Sequence, residues 1–216
     1  MPTDAEPALF WLLITRLGEA QILLPMALAV SLWLARRRHA WPLVPWWLLL
    51  LGGAAGITLA TKLAFIGWGI GSAAFDFTGI SGHAMFAAAV LPPLLGLTAS
   101  RAPRPVRLLA WGAGGVLAAV VALSRLVIGV HSPSEVVAGF VLGLLVSAVV
   151  LTAAQGRRTL PSAPLGLPAL LLLWVTRTPA AAPPLNTHGL VTRMALSLSG
   201  RDEPFTRAEL LAPREQ

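Results

Sequence analysis

A bundle of about six membrane-spanning helices is the all-α fold this sequence predicts, and three observations predict it. The chain is 56% hydrophobic, with a mean hydropathy of +0.75. Only 12% of its residues are charged, whereas a soluble domain carries about 25%. Its arginines gather in short connections between apolar stretches, the distribution expected of cytoplasmic loops. The net charge of +7 and pI near 11.7 would suit a nucleic-acid partner. The placement of the arginines explains that charge, so a membrane and no nucleic acid is expected. Cysteine is absent, which excludes a thiolate nucleophile, a disulfide framework and a cysteine-based zinc site.

Residues 7–18 (PALFWLLITRLG) are apolar but too short to span, and read as an interfacial helix. No basic region precedes them, and Asp4 and Glu6 stand there instead, so no cleaved signal peptide is expected. The first span is 20–35, closed by Arg36-Arg37-Arg38. The second is 43–63, with Trp46-Trp47 as an aromatic belt at one end and Lys62, the only lysine, at the other. A Gly- and aromatic-rich connection, 64–80, carries one acid, Asp76. The third span, 82–99, contains Pro92-Pro93 and is expected to bend there. The fourth is 106–124, the fifth 133–153, and a sixth is expected at 164–180 around LPALLLLWV. Residues 1–183 thus form a membrane-embedded domain, and 184–216 a polar tail.

Arginine counts orient these spans. Arg36, Arg37 and Arg38 follow the first, Arg101, Arg104 and Arg107 the third, and Arg157 and Arg158 the fifth, with no acid among them. The alternate connections hold little positive charge, Lys62 on one and Arg125 on the other. The arginine loops therefore face the cytoplasm. The opposite side, the periplasm if the membrane is a bacterial inner membrane, receives the remaining connections, and both termini as well given a sixth span.

Chemistry concentrates on that opposite side. Residues 124–135 (SRLVIGVHSPSE) place Arg125, His131 and Glu135 between two apolar spans, where charge is expensive. His131 and Glu135 are four apart, so a helix starting at Ser132-Pro133 turns the carboxylate back toward the imidazole. The same residues also form a capping box with proline at the first helical position. On that plainer reading Glu135 only satisfies backbone amides, His131 is an interfacial histidine and Arg125 a membrane-edge anchor. Ser81-Gly82-His83 opens the third span on the same face. Each motif thus points a helix N-terminus, a natural phosphate-binding element, at one boundary. Gly82 lets the backbone approach an anion, and Lys62 and Arg125 add fixed positive charge. The two histidines supply a nucleophile and a proton donor, and Glu135 can orient one imidazole. These are the parts of a metal-free phosphoryl-transfer site.

Ser124-Arg125, five residues, His131, three residues and Glu135, preceded by Ser81-Gly82-His83 and Lys62, resembles the type-2 phosphatidic acid phosphatase superfamily. These are membrane lipid phosphatases related to the vanadium haloperoxidases. The motifs cover residues 62–135, and the six-span layout extends the likeness to most of the chain. The resemblance implies a haloperoxidase-like helical core and a phosphatase acting on a lipid phosphate or polyprenyl diphosphate, with no cofactor and no metal. It implies that His131 is the nucleophile that becomes phosphohistidine and His83 the acid on the leaving group. It implies that Lys62, Ser81, Gly82 and Arg125 cradle the phosphate. Glu135 stands where the family usually has aspartate, and Ile80 where it usually has proline. The family's first motif, lysine, six residues, arginine and proline, has Gly69 and Ile70 at its last two positions, so one phosphate-binding arginine is missing. Two readings of the tail stand: it brings Arg193 or His188 near the phosphate as a replacement, or it is a surface helix whose Arg193 touches lipid headgroups while Gly69 leaves room for a bulkier headgroup.

Two other classes use the same residues. A metal-dependent membrane hydrolase would ligate its ion with His83, His131 and Glu135, against the repulsion of Lys62 and Arg125. A transporter or flippase for anionic lipids would use the cationic pocket without chemistry. The substrate's identity and the oligomeric state have no counterpart in the sequence.

Overall fold

The computed structural model describes residues 5–36, 42–155, Gly166, Ala169, Leu173 and 187–212. Among them the helices are α1 (Ala5–Arg16), α2 (Ala20–Ala35), α3 (Leu43–Trp68), α4 (Gly82–Thr98), α5 (Arg104–Val127), α6 (Pro133–Gln155), α7 (Thr187–Ser199) and α8 (Arg207–Leu211). The all-α class is as expected, and among the described residues strand pairing is limited to one bridge, Ser72 with Phe77. The stretches Leu9–Ala35, Leu43–Trp68, Arg104–Val127 and Pro133–Ala154 are long and apolar enough to cross a membrane. The sixth span, 164–180, lies outside the described residues apart from Gly166, Ala169 and Leu173, which are helical.

At 17 residues, α4 is shorter than those four apolar stretches, about 26 Å long and less than a full bilayer core. It tolerates this because it is the centre of the bundle. Met85, Val90, Leu91 and Leu94 are fully buried, and α2, α3, α5 and α6 all pack on it. The surrounding helices turn apolar side chains outward instead. Leu49, Ile57, Leu109, Val116, Val137 and Leu145 are all exposed, a surface that only lipid makes stable.

Helix α6 reaches α4 through Gly139 and Gly143, spaced as a small-xxx-small pair. A Cβ at Gly139 would fall on the Ser81 carbonyl, and one at Gly143 on the Met85 carbonyl. Backbone therefore meets backbone, and the first turns of α4 and α6 lie side by side. One hydrogen bond ties them directly, Ser81 N–H to the Glu135 carbonyl at 3.0 Å.

Helix α3 continues five residues past the end expected at 63. Its last turn is rich in glycine and aromatics, a composition that reads locally as loop. Gly69 ends the helix in the left-handed region, φ 69. Its N–H bonds to the Phe65 carbonyl, and that of Ile70 to the Ala64 carbonyl, which satisfies the free carbonyls of the last turn. The chain then makes a tight hairpin, with Ser72 and Phe77 exchanging backbone hydrogen bonds at 2.9 Å. Asp76 takes φ 48 at its tip.

Candidate active site

The site lies where α3 and α5 end and α4 and α6 begin. Ser132 is the N-cap of α6. Its hydroxyl accepts from Glu135 N–H at 3.4 Å, and Glu135 Oε2 accepts from Ser132 N–H at 3.2 Å. The capping box is therefore real. The same Oε2 also lies 2.7 Å from His131 Nδ1. The two readings of Glu135 are not alternatives, because one carboxylate does both.

Glu135 is fully buried and richly bonded. Its Oε1 accepts from Thr78 N–H at 2.7 Å and from Thr78 Oγ1 at 2.5 Å. Arg207 Nη2 donates to both carboxylate oxygens at 2.8 Å. A buried acid surrounded by donors and a guanidinium is held as the carboxylate. A carboxylate only accepts, so the proton shared with His131 belongs to Nδ1. Nε2 then carries the lone pair. Burial pushes the His131 imidazole below its ordinary value, with the charges of Lys62 and Arg125 acting the same way and Glu135 opposing them.

The other expected site residues surround this pair. Ser81 caps α4, and its buried hydroxyl has no hydrogen-bond partner. Gly82 and His83 form the first turn of α4. The fields of Arg125, Lys62 and His131 all act on His83. The stem of Lys62 lies against Gly79, and its neighbour Thr61 accepts from Ile80 N–H at 3.1 Å. Arg125 Nη1 donates to Thr15 Oγ1 at 2.6 Å, while its buried Nε has no partner. Among the described residues neither Lys62 nor Arg125 enters an ion pair, so both charges are available to an anion. No group of three or more His, Asp or Glu side chains among the described residues is arranged to hold a metal ion.

Several residues at the site have no motif to announce them. Thr15 belongs to α1, expected as a mere interfacial helix. The corner after it sets Gly18 against His83, where a Cβ would lie 3.0 Å from His83 Cβ. Thr78 and Asp76 come from the hairpin, which Ser134 also ties down by donating to the Phe75 carbonyl at 2.7 Å.

The tail differs most from expectation. Helix α7 packs on the end of α3, with Gly67 close to the Ala195 carbonyl and to Ser199. Phe205 N–H then bonds to the Ile66 carbonyl at 3.0 Å. The Phe205 ring covers Gly69, where a Cβ would lie 3.1 Å from it. The position of the family's missing arginine is thus a left-handed cap under an aromatic lid, and a side chain there would meet both obstacles. Arg193 and His188 are exposed, and neither is the cation the tail delivers. Arg193 lies on the side of α7 away from the buried Ala195. Arg207, at the start of α8, is the tail arginine that reaches the site, and it meets the Glu135 carboxylate.

Comparisons with known proteins agree with this architecture. The PAP2 superfamily model matches residues 60–159, a range that holds both motifs and Lys62. An uncharacterized 22.5 kDa protein in the cps region of Klebsiella pneumoniae is 38% identical over 205 residues, 93% of this chain and 97% of the relative. The crystal structure of the first transmembrane PAP2-type phosphatidylglycerolphosphate phosphatase from Bacillus subtilis matches with a TM-score of 0.55 at 25% identity. That likeness covers 74% of this chain and 81% of the other. With its motifs inside the matched range and its helices arranged like those of a solved member, this integral membrane protein belongs to the PAP2 superfamily, the type-2 phosphatidic acid phosphatases.

Proposed function

We propose that this protein is a membrane phosphatase that removes phosphate from a lipid phosphate or polyprenyl diphosphate through a phosphohistidine on His131. The observation that carries the proposal is the His131–Glu135 pair at 2.7 Å, which leaves Nε2 of a partly buried imidazole as a nucleophile. Nε2 attacks phosphorus and the bond to the leaving oxygen breaks. His83 protonates that oxygen, and the phosphohistidine forms with Glu135 balancing its charge. Water then attacks the phosphohistidine, His83 accepts its proton, and phosphate leaves. The unpartnered Ser81 hydroxyl and Arg125 Nε, with Lys62 and the α4 N-terminus at Gly82, hold the phosphoryl oxygens. Support for a lipid substrate comes from the place of the site at one end of a bundle of apolar, membrane-spanning helices and from the Bacillus subtilis relative named for a lipid phosphate.

Phosphate release from purified enzyme in EDTA tests the reading. Turnover in EDTA supports it. Loss restored by zinc identifies a metallohydrolase, and no release with any metal identifies a binding or transport protein.

The proposed site faces the periplasm or exterior, supported by the arginines that follow α2 and α4 at the other end of the bundle. The native chain has no cysteine, so Ala74→Cys in the hairpin should react with a membrane-impermeant thiol reagent in intact cells, and Ala102→Cys should not. The reverse labelling would place the site in the cytoplasm.

A further inference from the structure

We infer that Arg207 is a positioning residue of this phosphatase, acting on the nucleophile through Glu135, an inference that rests on the function proposed above. Arg207 lies 72 residues beyond Glu135 and outside the range matched by the family model, so no motif accounts for it.

Both terminal nitrogens of its guanidinium are engaged. Nη2 donates to Glu135 Oε1 and Oε2 at 2.8 Å and lies 3.2 Å from Thr78 Oγ1. Nη1 meets Asp76 Oδ1 at 2.6 Å and donates to the Asp76 carbonyl at 3.2 Å. Nη2 is thus committed to Glu135 and Thr78, and Nη1 to the Asp76 carbonyl, with the Asp76 carboxylate beside it as an ion pair. Arg207 therefore cannot seat a phosphate without leaving both acids, and it is not the missing phosphate cation. It is instead the third donor on each oxygen of Glu135. Thr78 twice and Arg207 fill Oε1, while Ser132 N–H, His131 Nδ1–H and Arg207 fill Oε2. A carboxylate so filled cannot rotate, and the imidazole it holds presents Nε2 in one direction.

The tail is built to deliver this group. Thr206 and Glu209 form a capping box that starts α8 at Arg207. Phe205 is pinned to Ile66 by its backbone and to Gly69 by its ring, and Arg201 stacks on that ring at 4.1 Å. Gly69, which removes the family's arginine, is also what admits Phe205. One departure from the motif thus makes room for the segment that brings Arg207.

The plainer role would be that Arg207 only pins the tail. Steady-state kinetics on a hydrolysed lipid phosphate separate the two. Arg207→Ala should lower kcat about 10- to 100-fold, the range for residues that orient a functional group, with KM nearly unchanged. Arg207→Lys should recover little, since an ammonium cannot bridge both oxygens and Asp76. Adding Arg207→Ala to Glu135→Gln should cause no further loss, because both act through one carboxylate. The acidic limb of kcat/KM should also rise in pH, as Glu135 then draws a proton onto His131 uncompensated. The other charged or titratable groups around His131 are Lys62 on α3, His83 on α4 and Arg125 on α5. A tail-pinning role would leave that limb in place. Unchanged kcat in Arg207→Ala, a loss confined to KM, or additive losses in the double variant would each overturn the inference. If Arg207→Ala does not fold, Arg207→Lys keeps the charge and decides alone: full activity overturns the inference. If the wild type hydrolyses no phosphate, the function fails separately. Imidazole nitrogen NMR then decides on Arg207, which the inference requires to hold His131 as the Nδ1–H tautomer, a state the alanine variant loses.

Discussion

Replacing His131 with alanine abolishes phosphate release and leaves no acid-labile phosphoenzyme. The expected loss is at least about 1,000-fold, as for removal of a covalent nucleophile. The protein should still fold, because the residue sits in the turn before α6 and its side-chain hydrogen bond is to Glu135 alone. Phosphohistidine trapping with labelled substrate, beside thermal unfolding in detergent, measures both. His83→Ala gives the complementary result: slow phosphoenzyme formation from a substrate with a good leaving group. The attacking form is neutral imidazole, and its pKa is depressed by burial. The wild-type rate should therefore hold as pH falls to about 6.5, the ordinary histidine value, and drop only through the lower, depressed one. Full activity in His131→Ala would remove the mechanism.

Glu135→Gln is the second large effect, and it separates orientation from capping in a way the capping box alone does not. Glutamine completes a capping box as well as glutamate does. It cannot replace this carboxylate, because both oxygens accept from several donors at once. The amide NH2 would face N–H groups on whichever side it took, and Arg207 would lose one partner of its pair. Glu135 is buried while Arg207 is part-exposed, so losing the charge leaves donors unmatched around a buried group and a lowered unfolding temperature is expected. A loss in kcat of about 10,000-fold should accompany it, the effect of neutralising the acid behind a catalytic histidine. Glu135→Asp should retain part of both, since it keeps the charge but shortens the reach. An active, equally stable Glu135→Gln enzyme would leave Glu135 as a helix cap.

Much of the fold was legible because a bilayer demands local signals. Each of α2, α4, α5 and α6 falls within a few residues of an apolar run, since every span must hide its own backbone from lipid. The His131–Glu135 contact was legible too, because helical geometry brings residues four apart together. Ser81, Gly82 and His83 were legible as a polar opening to an apolar helix.

What the sequence by itself determined, then, are the features that one segment settles alone: span positions, caps, the dyad and the family motifs. Tertiary structure decided which distant residues complete the site. Thr15 on Arg125, Thr78 and Arg207 on Glu135, and Phe205 over Gly69 join residues far apart in the chain. An arginine in a polar tail looks the same in sequence whether it faces headgroups or a buried carboxylate. The choice between Arg193 and Arg207 followed from which face of the tail packs on the end of α3. That packing depends on Gly67 and Gly69 leaving room for Ala195, Ser199 and Phe205, a matter of shape between segments that no local pattern encodes.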